Sequence, residues 1–181
     1  MEKKLEIIRR SSSFWANLFK TPAEKNDLEK VLLAMPPFQK LNSKIIKQLM
    51  KIIHNRSYEE NEYIFYQGDP GIGLYIIIEG EVTILQTIEE GRVMELAHLK
   101  RGDFFGEMAL LDEEVRSGSA IALKPSNMAV IFKPDLDEFI EQFPKTGVQI
   151  LRGISIIITT RLRKVNDEYF SYYKENLLKG V

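Results

Sequence analysis

The spacing of apolar residues changes character twice along this chain, from a helical pattern to short alternating runs and back again. Near the start, Leu5, Ile7 and Ile8 fit one helical piece, with breaks at Ser11 to Ser13 and at Thr21-Pro22. Leu28, Val31, Leu32 and Met35 then recur at three- and four-residue steps up to Pro36 and Pro37, whose fixed φ and missing N–H groups end a helix. After Phe38, Leu41-Asn42-Ser43 offers a side-chain cap for a further helix with Ile45, Ile46, Leu49, Met50 and Ile53 on one stripe. That stripe reads as core packing.

From Tyr58 to Phe132 the runs become short, β-branched and aromatic, separated by glycine and charge, as an all-β barrel or sandwich requires. Strands are predicted at Tyr63 to Tyr66, Leu74 to Glu79, Glu81 to Thr87, Val93 to Leu99, Ser119 to Ala122 and Met128 to Phe132. Turns fall at Gln67-Gly68-Asp69-Pro70, Gly80, Glu89-Glu90-Gly91 and Arg101-Gly102-Asp103, where glycine supplies a positive φ. Six or more strands can close a jelly roll. Pro134 then sits where a helix begins, Leu136, Phe139, Ile140 and Phe143 follow at helical spacing, and Pro144 ends that piece. In a last, longer helix Ile150, Ile154, Ile157, Ile158, Leu162, Val165, Tyr169 and Tyr173 make an apolar face opposite Arg152, Arg161, Arg163 and Lys164.

Composition narrows the function more than the fold. The 181 residues carry 25 Lys and Arg against 26 Asp and Glu, a net charge of −1, so no global field draws the chain to nucleic acid. Cysteine is absent, which removes disulfides, thiolate metal sites and cysteine nucleophiles together. His54 and His98 are isolated, so no metal site and no catalytic residue is predicted, and the metal chemistry of cupin-type jelly rolls is not expected. Met1 to Arg10 lacks the apolar run of a secretory signal, and Ile150 to Thr160 is broken by Arg152, Gly153 and Ser155, far short of a membrane span. A cytoplasmic protein is expected.

The segment Gly102-Asp103-Phe104-Phe105-Gly106-Glu107-Met108-Ala109-Leu110-Leu111-Asp112-Glu113-Glu114-Val115-Arg116-Ser117-Gly118-Ser119-Ala120 is unlike the rest and too polar for a strand. Gly106 precedes Glu107 to Leu111, which fits one short helical turn with N–H groups facing an anion. Arg116 offers a planar, permanently charged fork for phosphate oxygens, Ser117 adds a hydroxyl beside it, and the Glu107 carboxylate can accept a hydrogen bond from a ribose hydroxyl. By the residues alone, a structural Arg–Glu ion pair is the competing reading.

GDFFGEMALLDEEVRSGSA resembles the phosphate-binding cassette of the cyclic nucleotide-binding domain family, which includes catabolite-activator regulators, kinase regulatory subunits and gated channels. IFYQGDPGIGLYIIIEGEVTIL also resembles that family's turn-and-strand signature, with Gly68, Asp69 and Gly80 in place, and the likeness spans roughly Phe38 to Tyr173. The resemblance implies a mainly β fold with flanking helices: a jelly-roll (double-stranded β-helix) barrel over residues 38–144, an N-terminal helical segment over 1–37 and a C-terminal helical segment over 145–181. It implies that Gly106, Glu107 and Arg116 hold the ribose hydroxyl and the cyclic phosphate. The full ligand-binding set expected is Phe105, Gly106, Glu107, Met108, Ala109, Arg116 and Ser117. Gly118 departs from the family's usual alanine and is expected to add backbone freedom.

The expected ligand is cyclic AMP or cyclic GMP, with cyclic AMP favoured and no cofactor. In the family a residue of the last helix often covers the purine, and Arg161 or Leu162 stand at that place. The same helix is expected to pair with a second copy and to pass the signal to a protein partner, since no helix-turn-helix fits after Tyr173; neither nucleic acid nor membrane is an expected partner. The alternative function is a ligand-free barrel serving as a protein-interaction module.

Overall fold

The computed structural model describes residues 7–8, 28–89 and 91–178. The breaks expected at Ser11 to Ser13 and Thr21-Pro22, together with Leu5 and Glu90, lie outside the described residues. In chain order the elements are β1 (Ile7–Ile8), α1 (Leu28–Ala34), α2 (Ser43–Leu49), β2 (Ile53–Tyr58), β3 (Tyr63–Phe65), β4 (Gly73–Glu79), β5 (Glu81–Thr87), β6 (Val93–Lys100), β7 (Phe104–Phe105), β8 (Ser119–Ala122), β9 (Ser126–Phe132), α3 (Lys133–Gln142) and α4 (Pro144–Leu178). Single 3₁₀ turns cover Met50–Ile52 and Glu107–Leu110.

Among the described residues the strands form two sheets, ordered β1-β6-β5-β8-β3 and β2-β9-β4-β7, antiparallel apart from the β1–β6 pair. The chain therefore adopts the expected jelly roll with flanking helices and a long C-terminal helix. Two cores explain why β4 and β9 read as unbroken apolar runs rather than as alternating strands. Tyr75, Ile77, Met128 and Val130 face the barrel interior with Val82, Ala97, Leu99, Phe105 and Ala120. Leu74, Ile76, Ala129 and Ile131 point the other way, into a layer built from Val31, Leu32, Ile46, Leu49, Leu136, Phe139, Ile150, Ile154 and Ile157. A sheet covered on both faces has no side that water can claim, so both residue sets are apolar.

Local signals place the helices. The Asn42 side chain accepts a hydrogen bond from Ile45 N at 3.0 Å, capping α2, and Pro134 sits in the first turn of α3, where its missing donor does no harm. Several expectations are corrected. Ile7 and Ile8 are extended and pair in parallel with Val93 and Met94, because two adjacent β-branched residues suit a sheet edge better than an isolated helical turn. Ile53 leaves the α2 stripe to open β2, an edge strand whose His54, Asn55, Arg56 and Ser57 hid it from an apolar pattern. Phe104 and Phe105, in a segment read as too polar for a strand, pair with Ile76 and Tyr75 as β7. The last helix starts at Pro144, and Arg161, expected on its polar face, is buried at 6% exposure while Leu162 is 56% exposed.

The helix layer closes over backbone as well as side chains. An added Cβ on Gly153 of α4 would lie 2.2 Å from Pro37 Cα, so the helix passes directly over the turn that follows α1. Helix propensity alone favours Gly153→Ala by about 1 kcal/mol, whereas crowding predicts a net loss of about 1–3 kcal/mol. Urea unfolding is expected to show the loss; a gain would mean that the contact yields without strain.

Candidate functional site

The chain between β7 and β8 is shaped by its glycines and by one turn from elsewhere. Gly106 has φ 78°, and a Cβ there would come 2.8 Å from both the Arg116 Nη1 and the Gly73 carbonyl oxygen. Only glycine leaves the guanidinium its place. Arg116 is fixed through its backbone by the turn at 66–69: Gly68 N donates to Arg116 O at 2.9 Å and Arg116 N donates to Asp69 O at 2.8 Å. The turn is braced in its own right. Asp69 Oδ2 accepts from Tyr66 N at 2.7 Å, and Gln67 N donates to Ser119 Oγ at 2.9 Å. Ser119 thus holds the turn that holds Arg116, a role the sequence did not signal.

The Arg116 side chain is 6% exposed. Its Nη1 donates to Gly106 O at 3.3 Å and its Nη2 to Gly73 O at 3.1 Å, so its bonds run to carbonyls rather than to a carboxylate. Its Nε is buried with no hydrogen-bond partner. Burial pushes the guanidinium below its ordinary pKa, opposed by the neighbouring Tyr75 phenol and by the Glu107 and Asp69 charges, and an arginine stays protonated at any working pH. Burial likewise raises the Tyr75 phenol, against the pull of Arg116, keeping it neutral. A buried donor without an acceptor, on a charged group, is an unfavourable arrangement that an anionic oxygen would relieve.

Glu107 is 3% exposed and forms an ion pair through Oε1 with Nη1 of Arg161, which is also buried. Arg161 Nη2 also donates to the Phe104 carbonyl at 3.2 Å, and its guanidinium lies 5.2 Å from the Phe104 ring centre. The expected structural alternative, a direct Arg116–Glu107 pair, is replaced by this link between the cassette and α4.

A cavity of about 680 Å³, counted out to its open mouth, joins these groups. All seven residues of the expected ligand-binding set line it: Phe105, Gly106, Glu107, Met108, Ala109, Arg116 and Ser117. Of the two residues considered for covering a base, Arg161 lines the cavity and Leu162 faces outward. Missed from the sequence were Phe65 and the apolar wall of Ile84, Leu96 and Leu99, because strand alternation says that a residue points inward but not toward what. Gly118 needs another reason than backbone freedom. A Cβ there would lie 2.7 Å from the Leu85 carbonyl oxygen, beside the register shift between Ile84 and Leu85, so β5 occupies the space an alanine would need.

Residues 55–143 belong to the cyclic nucleotide-binding domain family. The chain is 32% identical over 133 residues to the cyclic AMP receptor protein of Thermus thermophilus, covering 74% of this chain and 60% of that protein. Over 89 residues it is 39% identical to the cGMP-dependent protein kinase egl-4 of Caenorhabditis elegans, covering 49% of this chain and 11% of the kinase. The N-terminal domain of a transcriptional regulator from Streptomyces coelicolor superposes with a TM-score of 0.66 at 28% identity, covering 76% of this chain and 95% of that one. The protein thus contains a cyclic nucleotide-binding regulatory domain related to catabolite activators and kinase regulatory subunits. Among the described residues no helix is long and apolar enough to cross a membrane, and no cluster of side chains suits a metal ion.

Removing one partner of a buried ion pair leaves the other charge uncompensated. Arg161→Ala is expected to lower unfolding free energy by about 3 kcal/mol, and adding Glu107→Ala should recover part of it, which denaturant titrations of the two single variants and the double variant will measure.

Proposed function

We propose that the cavity binds a purine 3′,5′-cyclic monophosphate and that α4 reports its occupancy to a protein partner. The observation that carries this reading is the buried, unpartnered Nε of Arg116 beside an open cavity. A cyclic phosphate brings a single negative charge and exposed oxygens to that donor, with the Ser117 hydroxyl at hand. The Glu107 carboxylate accepts from the ribose hydroxyl, and the purine lies along Ile84, Leu96 and Leu99. Phe105, Gly106, Met108 and Ala109 complete the contact. Cyclic AMP is the proposed ligand, as in the name of the Thermus relative, whose match takes in 74% of this chain; cyclic GMP is the alternative.

The route to the helix follows from Glu107. The Glu107 carboxylate is paired with Arg161 of α4. A ribose hydroxyl must share that carboxylate or displace the guanidinium, so ligand and helix position are coupled through one side chain. Leu110 ties the cassette to the helix-layer core, and rearrangement of the cassette on phosphate capture would repack it. The outer face of α4 carries Leu151, Leu162, Val165, Tyr169 and Tyr172, all exposed, the last four at alternating three- and four-residue steps. That is the repeat with which two helices supercoil about each other, and a second copy of the chain is its proposed occupant.

Calorimetric titration is expected to show saturable binding of cyclic AMP, with about 2.7 kcal/mol of added stability at a hundredfold excess over the dissociation constant. Arg116→Ala should abolish binding while unfolding cooperatively; a variant that is unfolded without ligand would point to a purely structural arginine. Sedimentation is expected to give a dimer that Leu162→Glu converts to monomer, and a monomeric wild-type chain would remove the paired-helix proposal alone.

A further inference from the structure

We infer that Phe65 is a positioning residue for the phosphate-binding guanidinium, acting as an aromatic shelf that fixes the plane of Arg116; the inference rests on the cyclic phosphate reading above. The Arg116 guanidinium carbon lies 4.2 Å from the centre of the Phe65 ring, well inside the range in which a cation is attracted to an aromatic face. Tyr75 is the second ring in reach, at 5.6 Å. Phe65 also lines the cavity in which a ligand phosphate would sit.

The placement is built by an irregularity in the backbone. In the β3–β8 pair, Tyr63 stands opposite Ile121 and Phe65 opposite Ala120, so two steps along β3 match one along β8. A bulge of this kind re-aims the side chain that follows it. Phe65 thereby joins the interior rings: it lies 5.6 Å from Tyr75 and 5.8 Å from Phe105, while Tyr75 and Phe105 stack at 5.3 Å with planes 10° apart. The three rings brace one another, and the shelf is rigid.

The shelf supplies what the hydrogen bonds do not. The bonds from Arg116 to the Gly106 and Gly73 carbonyls are long, at 3.3 and 3.1 Å, the first just beyond the ordinary range and the second at its upper end. Together with the Tyr75 phenol they restrain the guanidinium at its edges and do not press on its plane. A ring 4.2 Å from the guanidinium carbon opposes tilting of that plane, aims the unpartnered Nε edge at the ligand and keeps water off the guanidinium face. An aliphatic side chain of similar size would fill the volume without the attraction.

The test uses the full chain and the two phosphorothioate diastereomers of cyclic AMP, in which sulfur replaces one or the other exocyclic phosphate oxygen. A fixed guanidinium distinguishes them; a loosened one does not. Phe65→Leu, with Phe65→Met as a second aliphatic variant should the first fold poorly, is expected to weaken cyclic AMP by about tenfold and to draw the affinity ratio of the diastereomers toward one. Phe65→Trp or Phe65→Tyr should restore both. Unchanged affinity and ratio in the aliphatic variants, or an equal loss for both diastereomers that Trp and Tyr do not repair, would overturn the assignment of Phe65 and leave the ligand reading intact. Absence of any cyclic nucleotide binding by the wild-type chain would remove both.

Discussion

A guanidinium held out of water with no carboxylate hydrogen-bonded to it is the constraint around which this barrel is arranged. An arginine cannot shed its proton to escape burial as a lysine or a carboxylate can, so the charge at Arg116 has to be balanced by dipoles. The Gly106 and Gly73 carbonyls provide two of them. Both carbonyls reach the guanidinium because Gly106, in a left-handed conformation, lacks the side chain that would crowd Arg116 Nη1 and the Gly73 oxygen. The turn at 66–69 clamps the Arg116 backbone from both sides. Many local features of the cassette therefore serve one charge, and the charge in turn leaves one donor open.

What was legible in the sequence follows from how far each feature reaches along the chain. Arg116, Glu107 and Gly106 lie within one short segment whose chemistry has to be written locally, and the structure brings them to one cavity. β4, β5, β6 and β9 were visible because buried strands require apolar runs, and α3 because its first turn tolerates Pro134. The parts that stayed hidden depend on distant partners. β2 is polar because it is an edge strand whose backbone pairs with β9 alone. Arg161 sits among residues that look like a solvated helix face, and only the position of Glu107, far away in sequence, turns it inward. Phe65 looked like an ordinary strand residue until the β3 bulge gave it a direction.

The two-sided sheet links these observations to regulation. β4 and β9 present one face to the cavity side and the other to the helices, so Tyr75 touches the binding chemistry while its neighbours Leu74 and Ile76 touch the helix layer. Closely packed interiors transmit small displacements rather than absorbing them. A change at Arg116 or Glu107 thus has two ways into the helices, through the sheet and through Arg161.

Burial along α4 ends with Arg161, while the helix continues to Leu178 with the described side chains beyond that point mostly exposed. The part beyond the anchor is about 25 Å long at 1.5 Å per residue. Under the proposed function it is a lever arm held at its base by the Arg161–Glu107 ion pair and the Phe104 carbonyl: a rotation of about 10° at Arg161 would carry the far end roughly 4 Å over that length. On that proposal, an event the size of one ribose hydroxyl would be magnified to the scale on which another protein can read it.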